Sequence, residues 1–81
     1  MIALTYGELG QRLLRVGFTT RDNVERKTRI YEHASGAEIY LPLYPDDLAV
    51  YPWHLVGVRF TLDQFGLPDP FRSDVDSKTA W

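Results

Sequence analysis

Apolar residues along the chain recur at two different periods. From Leu9 the period is helical: Leu9, Leu13 and Val16 lie three or four positions apart, and Leu14 widens the stripe. Arg12 and Arg15 fall on the wetter side. Just upstream, Thr5-Tyr6-Gly7-Glu8 has the form of a capping box, in which the Thr side chain takes the amide three residues on. Gly17 offers the left-handed stop, so the spacing predicts a helix over 5–16. A second helical stripe, Leu55, Val58, Leu62 and Phe65, follows Pro52, which suits a first helical turn. Gly66 and Pro68 end it, and this predicts a helix over 52–65.

Between the helices the period drops to two. Residues 18–24 are Thr-rich and read as a strand. Residues 29–34 and 37–42 flank Ser35-Gly36, a two-residue hairpin turn. Pairing across that turn sets His33 opposite Glu38, Tyr31 opposite Tyr40 and Ile30 opposite Leu41. Alternation then divides the hairpin into a core face (Ile30, Ala34, Ala37, Ile39, Leu41) and a free face (Arg29, Tyr31, His33, Glu38, Tyr40). Glu32 falls on the core face, a conflict that a bulge near Ser35 would remove by shifting the register. Residues 43–51 read as a loop. The segment 68–81 is polar, with Phe71 and Trp81 as isolated aromatics, and reads as a flexible tail. The prediction is one α+β domain over 1–67, ordered α-β-β-β-α. Its three-stranded antiparallel sheet carries both helices on one face, the architecture of the double-stranded-RNA-binding domain.

Composition narrows the functions. The 81 residues suffice for one small domain, and an apolar fraction of 44% supports a packed core. Eleven acids against nine bases give a net charge of −2, which counts against strong nucleic-acid binding, where phosphate contacts supply most of the affinity. The chain has no cysteine, so a disulfide framework and Cys-based metal sites are excluded. Its first residues, MIALTYGELG, lack the basic-then-apolar form of a secretory signal, and no apolar run approaches a bilayer span. A soluble, cytoplasmic protein without cofactor or metal is expected.

Four stretches together resemble the HicA family: LLRVGF (Leu13 to Phe18), RIYEHASG (Arg29 to Gly36), IYLP (Ile39 to Pro42) and FGL (Phe65 to Leu67). HicA proteins are small toxins of bacterial toxin–antitoxin pairs that cut RNA and are neutralised by a HicB-type antitoxin. The likeness spans roughly residues 5–67. The family's pattern, G-[SG]-H-x-[IL]-[YF]-x-H, lays its two small residues on Arg26 and Lys27 and its working histidine on Thr28. Its second histidine falls on His33, and a further family histidine falls on Tyr44. A threonine hydroxyl cannot replace imidazole as a general acid or base near neutral pH. The resemblance therefore implies the scaffold of a ribonuclease without its catalytic position.

His33 is the one catalytic candidate, and its plainer reading is a surface histidine paired with Glu38. His54 lies in the first turn of the second helix, where the helix dipole disfavours a charged imidazole. Two functional readings follow. In the first, Arg26, Lys27, Arg29, Tyr31 and Tyr40 form a weak RNA-binding face, with cations on phosphates and tyrosines stacked on bases. In the second, Tyr44, Tyr51 and Trp53 belong to a protein-docking surface, for an antitoxin-like partner or a second copy of the chain. Cross-strand tyrosine pairs and a Trp capping the core are the plain structural alternatives.

Overall fold

The computed structural model describes residues 4–71. Five elements follow in order: α1 (Tyr6–Val16), β1 (Thr19–Asn23), β2 (Thr28–Glu32), β3 (Glu38–Pro42) and α2 (Pro52–Gln64). The strands make one antiparallel sheet in the order β1-β2-β3. Leu9 and Leu13 of α1 and Val58 and Leu62 of α2 join Tyr31, Ile39 and Leu41 in one buried cluster. Both helices thus cover the same face, as the periodicities predict. No helix among the described residues is long and apolar enough to cross a membrane.

The start of α1 is fastened twice. The Thr5 hydroxyl accepts the Glu8 N–H at 3.2 Å and donates to the Glu8 carboxylate at 3.1 Å. The N–H groups of Tyr6 and Gly7, which no helix can satisfy internally, donate to the carbonyls of Leu48 and Asp46, both at 3.0 Å. The loop after β3 is thereby tied to α1. Gly17, at φ 115°, closes the helix.

The β2–β3 connection departs from the two-residue turn. Gly36 N–H donates to the His33 carbonyl at 2.9 Å, and His33 N–H to the Ala37 carbonyl at 3.0 Å. Three residues, Ala34 to Gly36, therefore span the turn, with Gly36 left-handed at φ 99°. The extra residue moves the register by one: Tyr31 faces Ile39, Ile30 faces Tyr40 and Glu32 faces Glu38. A slip of one residue sends every side chain of a strand to the other face. Tyr31 is accordingly buried in the core, not displayed on the free face. Ile30 lies on the outer face, buried between its cross-strand neighbours Arg21 and Tyr40. Ala34 is exposed in the turn rather than packed in the core. Glu32 moves outward, where it pairs with Arg21 at 3.0 Å, and its conflict with the core disappears.

Tyr31 makes a demand on α1. A Cβ at Gly10 would stand 2.5 Å from the Tyr31 phenol oxygen. Glycine inside a helix costs about 0.5–1 kcal/mol relative to alanine, and here the phenol occupies the space that an alanine would need.

The domain does not end at residue 67. Phe71 is fully buried and belongs to the core cluster. Arg59 of α2 donates to the Asp69 carboxylate at 2.7 Å, whose other oxygen accepts the Phe71 N–H at 2.9 Å. Arg12 of α1 donates to the Pro70 carbonyl at 3.4 Å and lies 5.8 Å from the centre of the Phe71 ring. Residues 68–71 are thus part of the packed domain, against the expected flexible tail, because one isolated aromatic carries a core contact without any periodicity. The rest of that expected tail, with Trp81, lies outside the described residues. Phe65, expected in the core, is instead 45% exposed at the end of α2, and Val16 is half-buried.

Two measurements test this packing. Phe71→Ala should cost about 3–5 kcal/mol in chemical denaturation, as for a buried aromatic; a change near zero would remove Phe71 from the core. Gly10→Ala should destabilise the protein, against its helix propensity. Combining it with Tyr31→Phe should recover part of that loss, so additive penalties would exclude a clash with the phenol.

Candidate functional site

The register shift disperses the residues expected to bind RNA. Arg26 and Lys27 sit in the turn between β1 and β2, exposed at one end of the sheet. That turn is built by Asn23, whose side-chain oxygen accepts the Arg26 N–H at 3.2 Å. Lys27 holds a left-handed φ of 51°, a conformation that favours glycine. Arg29 lies on the helix side of the sheet, gripped by the two Asp22 oxygens at 2.8 and 3.2 Å and by Asp46 at 3.5 Å. Tyr31 is in the core, and Tyr40 alone of the set stands on the outer face, its phenol 3.3 Å from Glu38. No continuous strip of cations and aromatics results.

The possible chemistry of the hairpin is limited in the same way. Thr28 donates its hydroxyl to the Arg26 carbonyl at 3.0 Å. His33 lies opposite Ala37, not Glu38. Its Nδ1 accepts the Ser35 N–H at 3.0 Å and lies 3.0 Å from the Ser35 hydroxyl. Its ring packs against Phe18, with ring centres 5.0 Å apart. The imidazole therefore serves the turn, about 16 Å along β2 from Thr28 at the usual rise per residue. Among the described residues, no group of His, Cys, Asp and Glu is placed to hold a metal ion.

A groove of about 910 Å³ opens between α1 and the uncovered side of β1. Arg12, Arg15, Arg21 and Arg29 line it together with Glu8, Asp22, Asp46 and Asp47. Charges of both signs at such spacing cancel rather than focus a field. The Asp22 side chain holds Arg29 further above its already high pKa, and hydrogen bonds from Arg29 hold the Asp22 carboxyl below the usual carboxylate range.

The residues expected at a protein interface do come together. Tyr44, Tyr51 and Trp53 meet Tyr6 and His54 where α1, the loop and the start of α2 join. The Tyr51 and Trp53 rings are stacked, 4.6 Å apart and 11° from parallel. Tyr44 packs on Tyr6 at 4.9 Å. The Tyr6 phenol oxygen accepts the Tyr51 N–H at 3.2 Å and lies 2.6 Å from His54 Nδ1. Burial is the main reason that the Tyr6 phenol is harder to ionise than a free tyrosine.

From this cluster an apolar face runs outward along α2. The helix buries Val58 and Leu62 on one side. On the opposite side Trp53, Val56 and Phe60 are 63%, 67% and 63% exposed. These three recur at i, i+3 and i+7, one helical stripe. The helix thus carries apolar residues on two sides, of which one is packed against the core and the other is exposed among the described residues. Gly57 lies within this stripe, and among the described residues no atom outside its neighbouring helical backbone comes within 4 Å of where its Cβ would be. None of the described residues requires a glycine there. Of this face the sequence reading found only Trp53. The signal that could have found Val56 and Phe60 is the second stripe itself, interleaved with the core-facing one.

The Arg29–Asp22 pair gives a pH test. The folded pKa of Asp22 lies below the ordinary 3.8, so its contribution to stability is present above pH 3.8 and is lost as pH falls through the lower folded value. Asp22→Asn should flatten the acid limb of the stability curve while leaving the neutral region less affected. An unchanged acid limb would show that the pair does not operate in solution. Compared with known proteins, the chain matches no family model, no curated protein and no solved structure.

Proposed function

We propose that this chain is a non-catalytic protein-interaction module on a HicA-like scaffold, and that it docks a partner through the outward face of α2. The observation that carries this reading is the exposure of Trp53, Val56 and Phe60 along one side of a helix whose other side is already in the core. Large aromatics are enriched at interface hot spots, and a contiguous exposed apolar patch on a small domain is a common mark of a contact surface. The stacked Tyr51 ring extends the patch at its upper end.

Cleavage of RNA is not part of this activity. Thr28 stands where the resemblance would set the working histidine, and the His33 Nδ1 is taken up by the Ser35 amide. A second reading, weak RNA contact, is favoured by one observation: Arg26 and Lys27 are exposed and have no ion-pair partner among the described residues. Two phosphate contacts give only weak, salt-sensitive affinity.

The double variant Trp53→Asp/Phe60→Asp tests the main reading. A docking face outside the core tolerates it, so the melting temperature should stay within a few degrees of the parent's and solubility should rise. Unfolding of this variant would make the face part of the fold and overturn the proposal. Incubation of the parent with total RNA should leave the RNA intact. Cleavage that vanishes on His33→Ala would restore the enzymatic reading.

A further inference from the structure

The geometry points to a second copy of this chain as the occupant of the α2 face, packed antiparallel across a two-fold axis at Gly57. This rests on the docking role just given to that face and names its partner. Three observations lead to it.

The first is the glycine. Gly57 sits mid-helix with open space beyond it. Glycine is used where a backbone must be approached closely, and none of the described residues makes that approach. Trp53 stands four positions before it and Phe60 three after it. The face is thus two bulky rings on either side of a notch. An isologous pair needs a surface that complements itself, and this one carries both the bulk and the notch. With Gly57 on the axis, each Trp53 falls beside Phe60 and opposite Thr61 of the second copy.

The second is charge. Trp53, Val56, Gly57 and Phe60 are uncharged, so the face selects for no charged partner. Asp63 lies at its edge, exposed near the end of α2. In the antiparallel arrangement the two Asp63 carboxylates stand about 18 Å apart along the helices at the usual 1.5 Å per residue, well beyond the Debye length of about 8 Å at physiological salt. A parallel pair would bring them side by side.

The third is area. From the exposed fractions of Trp53, Val56 and Phe60, the face offers roughly 400 Å² of apolar surface per copy. The pair would then bury roughly 1,000 Å² with its flanking residues, the lower bound of a specific interface. An interface at that lower bound is expected to be weak and reversible, and the test spans dissociation constants of roughly 1–100 µM.

Sedimentation equilibrium of the full chain from about 1 to about 500 µM, the range set by that expected affinity, reads the association directly. The mass should rise from 9.4 kDa toward twice that value. Trp53→Asp/Phe60→Asp should hold it at the monomer, with at least a tenfold weaker association. The chain has no cysteine of its own, so single cysteines map the geometry. Gly57→Cys, on the axis, should cross-link to itself under mild oxidation. Gln64→Cys should not, since its copies lie about 21 Å apart along the helices. A dimer that survives the double variant would locate the interface elsewhere and overturn the inference. Self-linking through Gln64→Cys would overturn the antiparallel arrangement. A parent that stays monomeric throughout would exclude the second copy, yet leave the docking face standing if the double variant folds. Unfolding of the double variant would instead sink the docking face itself.

Discussion

Gly36, left-handed at φ 99°, decides which side of the sheet each β2 side chain takes. Its conformation lets the hairpin close over three residues, and that fixes Tyr31 opposite Ile39. Strand side chains alternate, so this single offset turns Tyr31 inward and Ile30 outward. The buried phenol then excludes any Cβ at position 10, which sets how α1 lies on the sheet. It also leaves Arg29 on the helix side, within reach of Asp22 and Asp46. Turn, helix packing and charge distribution follow from one backbone position.

The same offset disperses one surface and leaves another intact. Cations and tyrosines that alternate along β2 and β3 would share a face only under a two-residue turn. With three residues, Arg29 is neutralised locally and Tyr31 is removed from solvent, and the outer face keeps Tyr40 among Glu32 and Glu38. The α2 face does not depend on the hairpin register. It depends on Val58 and Leu62 holding the helix against the core, which aims Trp53, Val56 and Phe60 at solvent. Among the described residues a stripe of exposed apolar side chains therefore lies on the helix, away from the sheet.

The joint at the start of α2 ties the two helices together. Tyr6, in the first turn of α1, reaches both the Tyr51 amide and the His54 imidazole. Burial of that phenol gives Tyr51 a fixed position, and Tyr51 in turn stacks on Trp53. The upper end of the exposed α2 face is thus held at its Tyr51 backbone and at His54 by hydrogen bonds from the other helix, and the proposed docking would cost less side-chain freedom there.

The sequence by itself determined the elements and their order. Helix stripes, the Thr5 cap and the Gly17 stop are local signals, and α1, α2 and three strands appear within a residue or two of their expected bounds. The α-β-β-β-α arrangement was legible for that reason, as were Leu9, Leu13, Val58 and Leu62 as core. Tyr44, Tyr51 and Trp53 were legible as aromatics beyond the predicted core. Three things were settled only in the folded molecule. The turn length was one, because Ser35-Gly36 suits a two-residue or a three-residue connection and hydrogen bonds to Ala37 decide between them. The docking of Phe71 was another, because a lone aromatic has no period and its pocket is made by Arg12, Arg59 and both helices. The last was the second face of α2. Two apolar stripes in one helix are equivalent along the chain, and only packing against β3 shows which is covered and which is left open.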